Sequence, residues 1–242
     1  MAITSDAITG TTVLDTADPA NDDNGPGTFT YPTSSDFHAG AFDLTRFQVI
    51  DGGSTIYLRA TLRDLTPTFG PVNGAQLLDV FVRDPAAGSF STAAPFASRN
   101  YTIAGDSAWS QRIEVQGFAS PTYVDAGGSP LGDLGVSANE TSKAITMAVP
   151  AAALGHPASG WVFSVVLHGQ DGFSPDQARG FAPTAQPFQF GLCAPGGVSP
   201  ICSINPGTAP KAMDVIAPGG VSQATELNPT LGPVTVHGVA VP

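Results

Sequence analysis

The chain has 242 residues and a formal charge of −11, from 20 acidic and 9 basic side chains without any Lys or Arg cluster, so nucleic acid and anionic membrane surfaces lack the basic footprint they require. No apolar run approaches the length of a bilayer span, which excludes insertion through a helix. Charged residues are only 12% of the chain while Gly and Pro together make up about a fifth, a balance that predicts many short strands under a surface of Thr, Ser, Asn and Gln.

The elements follow from alternation and punctuation. Residues 47–50 and Thr55–Leu62 alternate apolar with polar side chains around Asp51-Gly52-Gly53-Ser54, a hairpin signal that opens an expected long meander. Gln76–Arg83 is almost continuously apolar and reads as a central strand, as does 161–167. Further strands are predicted at 99–103, 111–118, 143–149, 186–192, 212–216 and 234–241. Pro150-Ala-Ala-Ala-Leu154, stopped by Gly155, predicts the chain's only short helical turn. Residues 85–95 and 195–210 read as exposed loops, and the Pro-punctuated tail after Pro218 is expected along the outside of the fold. About ten short strands predict an all-β protein, a single antiparallel β-sandwich spanning 1–242.

Asp18, Asn21, Asp22, Asp23 and Asn24 crowd three carboxylates and two amides into seven positions before Gly25-Pro26-Gly27. Such oxygen-rich loops either hold a hard cation, calcium above all, or solvate themselves as polar turns. The spacing is not that of an EF-hand. Asp43, heading a predicted strand, could complete a calcium shell with Asp18, Asp22, Asp23 and Asn24. Cys193 and Cys202 flank a Gly/Pro loop whose spacing fits neither a zinc site nor a redox pair, so a disulfide is expected, and with it an oxidising compartment. The opening Met1-Ala-Ile-Thr-Ser5 has neither the basic start nor the apolar centre of a secretion signal, which fits a cytosolic protein or a mature fragment behind an added Met; the cysteine pair favours the second.

Catalytic signatures are missing. There is no Gly-x-Ser-x-Gly, no His-Glu-x-x-His and no phosphate-binding glycine loop, and only three Glu residues, Glu114, Glu140 and Glu226, are available for a glycosidase carboxylate pair. His168 is expected at a strand end with its ring satisfied by a neighbour. In the Gln170–Asp176 loop, Asp171 is expected to cap a turn or to pair with Arg179. Aromatic rings are the natural stacking surface for pyranose C–H faces, and Trp109, Phe118, Tyr123 and Trp161 are available. Trp161, ahead of Val-Phe-Ser-Val-Val, reads as a core anchor, leaving Trp109 and Tyr123 as the carbohydrate-binding candidates.

Asp22-Asp23-Asn24-Gly25-Pro26-Gly27, Tyr31-Pro32-Thr33 and Gly40-Ala-Phe-Asp43-Leu44, followed in order by Gln76-Leu-Leu-Asp-Val-Phe81, Gly160-Trp161, Gln170-Asp-Gly-Phe173, Asp214-Val-Ile216 and Val221-Ser-Gln223, resemble the glucodextranase C-terminal domain family. Members are appended to secreted glucodextranases, amylopullulanases and surface-layer-associated proteins. The resemblance implies a sandwich of the class shared by family 9 carbohydrate-binding modules and DOMON domains, and no catalytic activity. Some DOMON relatives bind haem, but a lone strand methionine such as Met147 is better core filler than an axial ligand. The expected function is a secreted or cell-surface accessory module that binds neutral polysaccharide or cell-wall glycan and is stabilised by calcium. A surface-layer-like assembly protein that self-associates is the alternative, and a glycoside hydrolase the third reading.

Overall fold

The computed structural model describes residues 8–242; the opening stretch read above for a secretion signal lies outside them. In chain order the strands are β1 (Thr11–Ala17), β2 (Leu44–Asp51), β3 (Thr55–Leu62), β4 (Gln76–Arg83), β5 (Thr102–Ile103), β6 (Gln111–Gln116), β7 (Thr122–Asp125), β8 (Gly135–Asn139) and β9 (Ala144–Pro150). After the turn α1 (Ala151–Leu154) come β10 (Val162–Gly169), β11 (Phe181–Ala182), β12 (Phe190–Gly191), β13 (Asp214–Val215), the second turn α2 (Gln223–Glu226), β14 (Thr235–Val236) and β15 (Val239–Ala240).

Two antiparallel sheets face each other across the main core. One runs β1-β2-β3-β9-β8 and the other β13-β10-β4-β6-β7, with β15 also paired to β10. β11–β12 and β14–β5 add two small parallel ladders. The Asp51–Ser54 hairpin joins β2 to β3 as expected, with Gly52 N–H donating to Thr55 O. The meander stops there. β3 pairs with β9 instead of β4, because the chain crosses to the opposite sheet, whose two faces are both covered and can bury the apolar run of β4.

The burial patterns give the reason. β3 buries every second residue, Ile56, Leu58, Ala60 and Leu62, and its other face is half-buried. β4 and β10 are buried on both faces. Leu78, Val80, Phe163, Val165 and Leu167 point into the space between the sheets, whereas Phe81 and Val166 point outward into a second cluster with Tyr101, Ile103, Trp109 and Val236. That second core is supplied by the segment before β6 and by the tail. The tail therefore does not lie along the outside: Val239 and Val241 enter the main core and β14 and β15 join ladders. The second helical turn, α2, also departs from the single turn expected, and its Gln223 is buried.

Asp79 on β4 and Glu114 on β6 face this outer layer beside Arg99, whose guanidinium is 2.6 Å from Asp79 and 2.9 Å from Glu114. Burial pushes both carboxyls up, but Arg99 and His168 hold Asp79 well below the usual range, while Glu114 is left at about 7 beside the Asp79 charge. His168 is fully buried, its Nε2 3.1 Å from Asp79 and its Nδ1 against the Lys211 carbonyl, so its ring is satisfied as expected. The predicted strand 99–103 survives only as β5, because residues 97–99 form a 3₁₀ turn that swings Arg99 into this network.

Candidate functional site

The acidic loop leaves β1 at Asp18, whose N–H donates to Thr45 O at 3.0 Å. Asn21 adopts a left-handed backbone and donates its N–H to Asp43 Oδ2 at 2.8 Å, which turns the chain back toward β2. Gly25 is also left-handed, at φ +58°, and a Cβ there would lie 2.3 Å from the Phe29 ring, so only glycine lets the loop close over that aromatic side chain. Gly25 N–H then donates to Met213 O at 2.9 Å, binding the loop to the segment that carries Asp214. Gln223 completes the frame. Its amide donates to the Asp22 and Gly25 carbonyls and its Oε1 accepts from Val215 N–H.

This frame brings Asp18, Asp22 and Asp214 together, with one carboxylate oxygen from each within 4.8 Å of the others. Asp18 and Asp22 line a cavity of about 480 Å³ that Asn24 also borders. Asp214 is buried and accepts from the N–H groups of Leu44 and Val215, whereas Asp18 Oδ2 and Asp22 Oδ1 are buried and have no hydrogen-bond partner among the described residues. Burial raises all three pKa values and the neighbouring acids add to it: Asp18 is pushed up to about 8, Asp22 to about 6 and Asp214 well above the usual carboxylate range. Three hard oxygen donors with two unsatisfied atoms suit a calcium-type cation chemically, since a divalent charge would satisfy the lone pairs and remove the repulsion.

The other predicted ligands are placed elsewhere. Asp43 is fully buried but pairs through Oδ2 with Arg63, and Asp23 turns to the Tyr31 hydroxyl with Arg63 at 3.9 Å. Arg63 reaches both, because its own backbone N–H is held by Asp43 O. Of the five predicted positions the structure thus joins Asp18 and Asp22, borders them with Asn24, and diverts Asp23 and Asp43 to an arginine. Asp214 was not among the predicted members of this group. Its signal was a carboxylate inside the apolar run Ala-Met-Asp-Val-Ile, which has to find a buried partner, but no spacing rule could connect it to a loop nearly two hundred positions earlier.

Neither carbohydrate-binding candidate offers a ring face. Trp109 is 5% exposed, packs on Phe81 with ring centroids 6.0 Å apart, and donates its indole N–H to Ala93 O. Tyr123 is 3% exposed and its hydroxyl is spent on the Gln111 side chain. The second layer over β4 and β6 covers Trp109, whereas Tyr123, opposite Ile113, faces the main core between the sheets. Trp161 is buried, as expected. Phe118 alone among the four stays exposed, on the edge where β6 ends. Asp171 caps its turn by accepting from Phe173 N–H, and Arg179 bonds backbone carbonyls instead of pairing with it.

Cys193 and Cys202 form the expected disulfide. Among the described residues no helix is long and apolar enough to cross a membrane. No curated protein matches the chain. A family model described as the C-terminal binding module, SLH-like, of glucodextranase matches residues 13–236, nearly the whole chain, from β1 to β14. This match covers well over half of the chain and shows that it belongs to the glucodextranase C-terminal domain family, a family of binding modules and not of catalytic domains.

Proposed function

We propose that this chain is a non-catalytic accessory module, secreted or displayed at the cell surface, that holds neutral polysaccharide or cell-wall glycan and is stabilised by calcium. Membership in a family of SLH-like binding modules supports the glycan partner, and an acidic surface argues for an uncharged ligand over a polyanion. The disulfide fits an oxidising compartment.

The observation that carries the calcium part is the convergence of Asp18, Asp22 and Asp214 with two buried, unpartnered carboxylate oxygens. Left without a cation, such a group must hold protons or repel. A ligand that binds only the folded state stabilises it by mass action, about 2.7 kcal/mol at a hundredfold excess over Kd. The melting temperature should therefore rise with calcium and fall in chelator, and Asp214→Asn should abolish the response. Identical melting curves in chelator and in millimolar calcium would refute the calcium reading. Retardation of the pure protein by polysaccharide tests the glycan reading, and release of reducing sugar by it would overturn the non-enzyme assignment.

A further inference from the structure

An exposed aromatic cleft lies away from the acidic loop, between the end of β6, the loop after β10 and the turn before β12. Phe118, Phe173 and Phe188 are 54%, 99% and 51% exposed, and with Phe69 they border a cleft of about 720 Å³, within the usual range of small-molecule sites. Isolated exposed phenylalanines need no explanation, but rings gathered around one concavity do.

Each wall is braced. Phe118 follows Gly117, where an added Cβ would stand 2.9 Å from Gly74 Cα, so the chain after β6 is pressed against a neighbouring turn. Phe188 sits at the tip of a tight turn closed by Gln186 and Gln189. Phe173 rides on a loop held by Asp171, whose side chain accepts from Phe173 N–H at 3.0 Å, and by Asp176, which accepts from Ser174 and Ala178 within the loop and from Lys211 at 2.8 Å outside it. Arg179 ties two walls together. Its guanidinium donates 2.6 Å to Phe188 O and 2.7 Å to Gln170 O, and lies over the Phe37 ring on which Phe69 and Phe188 pack. Backbones braced in this way leave only side-chain rotations to be ordered when a ligand arrives.

We infer that this cleft is the saccharide-binding site of the module and that its ligand is an uncharged glycan. The inference rests on the glycan-binding reading proposed above and supplies the residues for it. Phenyl faces match the C–H faces of pyranose rings, while the exposed Gln189 amide and the Asp171 carboxylate supply groups for hydroxyls. The one acid and the one base on the lining, Asp171 and Arg179, cancel, and Arg179 is already committed to backbone carbonyls, so the cleft has no free cation for a uronate or phosphate. A purely apolar ligand would leave those polar groups unpaired.

The test is affinity electrophoresis of the full chain in gels containing dextran, soluble starch or a neutral cell-wall polysaccharide. Phe118→Ala with Phe173→Ala removes the two most exposed rings and spares the core; Phe90→Ala, exposed outside the cleft, is the control. The wild type and the control should be retarded equally and insensitively to salt, and the double variant should bind at least about tenfold more weakly with an unchanged melting temperature. Equal retardation of wild type and double variant would overturn the cleft while leaving the glycan-binding module intact. Absence of retardation in every gel would overturn both. Concentration-dependent sedimentation of the wild type that the double variant loses would make the cleft a self-association face and overturn the saccharide assignment.

Discussion

Asp176 shows how one carboxylate can govern a loop whose ring faces solvent. It is 2% exposed, and burial alone would raise its pKa; the hydrogen bonds from Lys211 and Ser98 outweigh that and hold it at about 2, against an ordinary value of 3.8. The folded state therefore binds fewer protons than the unfolded chain between these values, so the stability this group contributes is complete above about pH 4 and is lost as pH falls through about 2. Protection factors of the amides in the loop around Phe173, corrected for the intrinsic exchange rate, should fall over that window, and Asp176→Asn should flatten the acid dependence. The same acid profile in the variant would show that another group holds the loop. Trp109 illustrates the opposite limit. Its neighbours in sequence, Ala108 and Ser110, say nothing of Phe81, and only the fold reveals that its ring is core. Phe118, by contrast, stays exposed while flanked by Gly117 and Ala119, a contrast that no single-residue rule separates.

At the scale of elements, what could be read from the chain was what local physics determines. The bounds of β3 and β4, the Asp51–Ser54 hairpin and the Pro-started turn α1 follow from alternation, apolar runs and punctuation, and the structure has them where expected. Edge strands were missed. β8 buries little, and its Gly-Val-Ser-Ala-Asn carries almost no apolar signal; β1 exposes most of its residues beyond the last sheet neighbour. β5 and β14 fall inside the predicted strands 99–103 and 234–241, but their pairing with each other has a tertiary cause, the tail crossing the outer layer, that no local pattern shows. The disulfide loop was legible from composition, and its energetic weight is modest. Val198 at its tip is solvent-exposed while Ile201 within it is seated in the main core. Closing so short a loop restricts the unfolded chain by about 2–3 kcal/mol. Reduction should lower the denaturant midpoint by a corresponding amount and leave a cooperative transition. A midpoint unmoved by reduction would mean that packing around Ile201 alone holds the segment.

On the scale of the whole molecule, the two sheets could be expected from strand count, but the second core could not, because it is built from segments on either side of the chain's midpoint. The candidate site divides the same way. Asp18, Asp22 and Asn24 were visible as a cluster, whereas Asp214 and the aromatic cleft depend on contacts between distant stretches that periodicity and spacing do not encode.

The bond from Gln223 to the Asp22 carbonyl spans 201 positions, and Asp214 meets Asp18 and Asp22 over nearly the same distance. Contacts this far apart in sequence are expensive to close before the sheets exist, so they belong after the folding transition state. A clasp that forms late acts on the exit from the native state. Calcium held there should slow unfolding and lengthen survival against protease, while the refolding arm of the chevron stays where it was. Stopped-flow traces with and without calcium would show this, and a refolding rate that climbs in step with stability would place the clasp in the nucleus instead. If calcium fills the clasp, the working measure of stability becomes the lifetime of the folded state, set more by the ion concentration around the protein than by the size of its core.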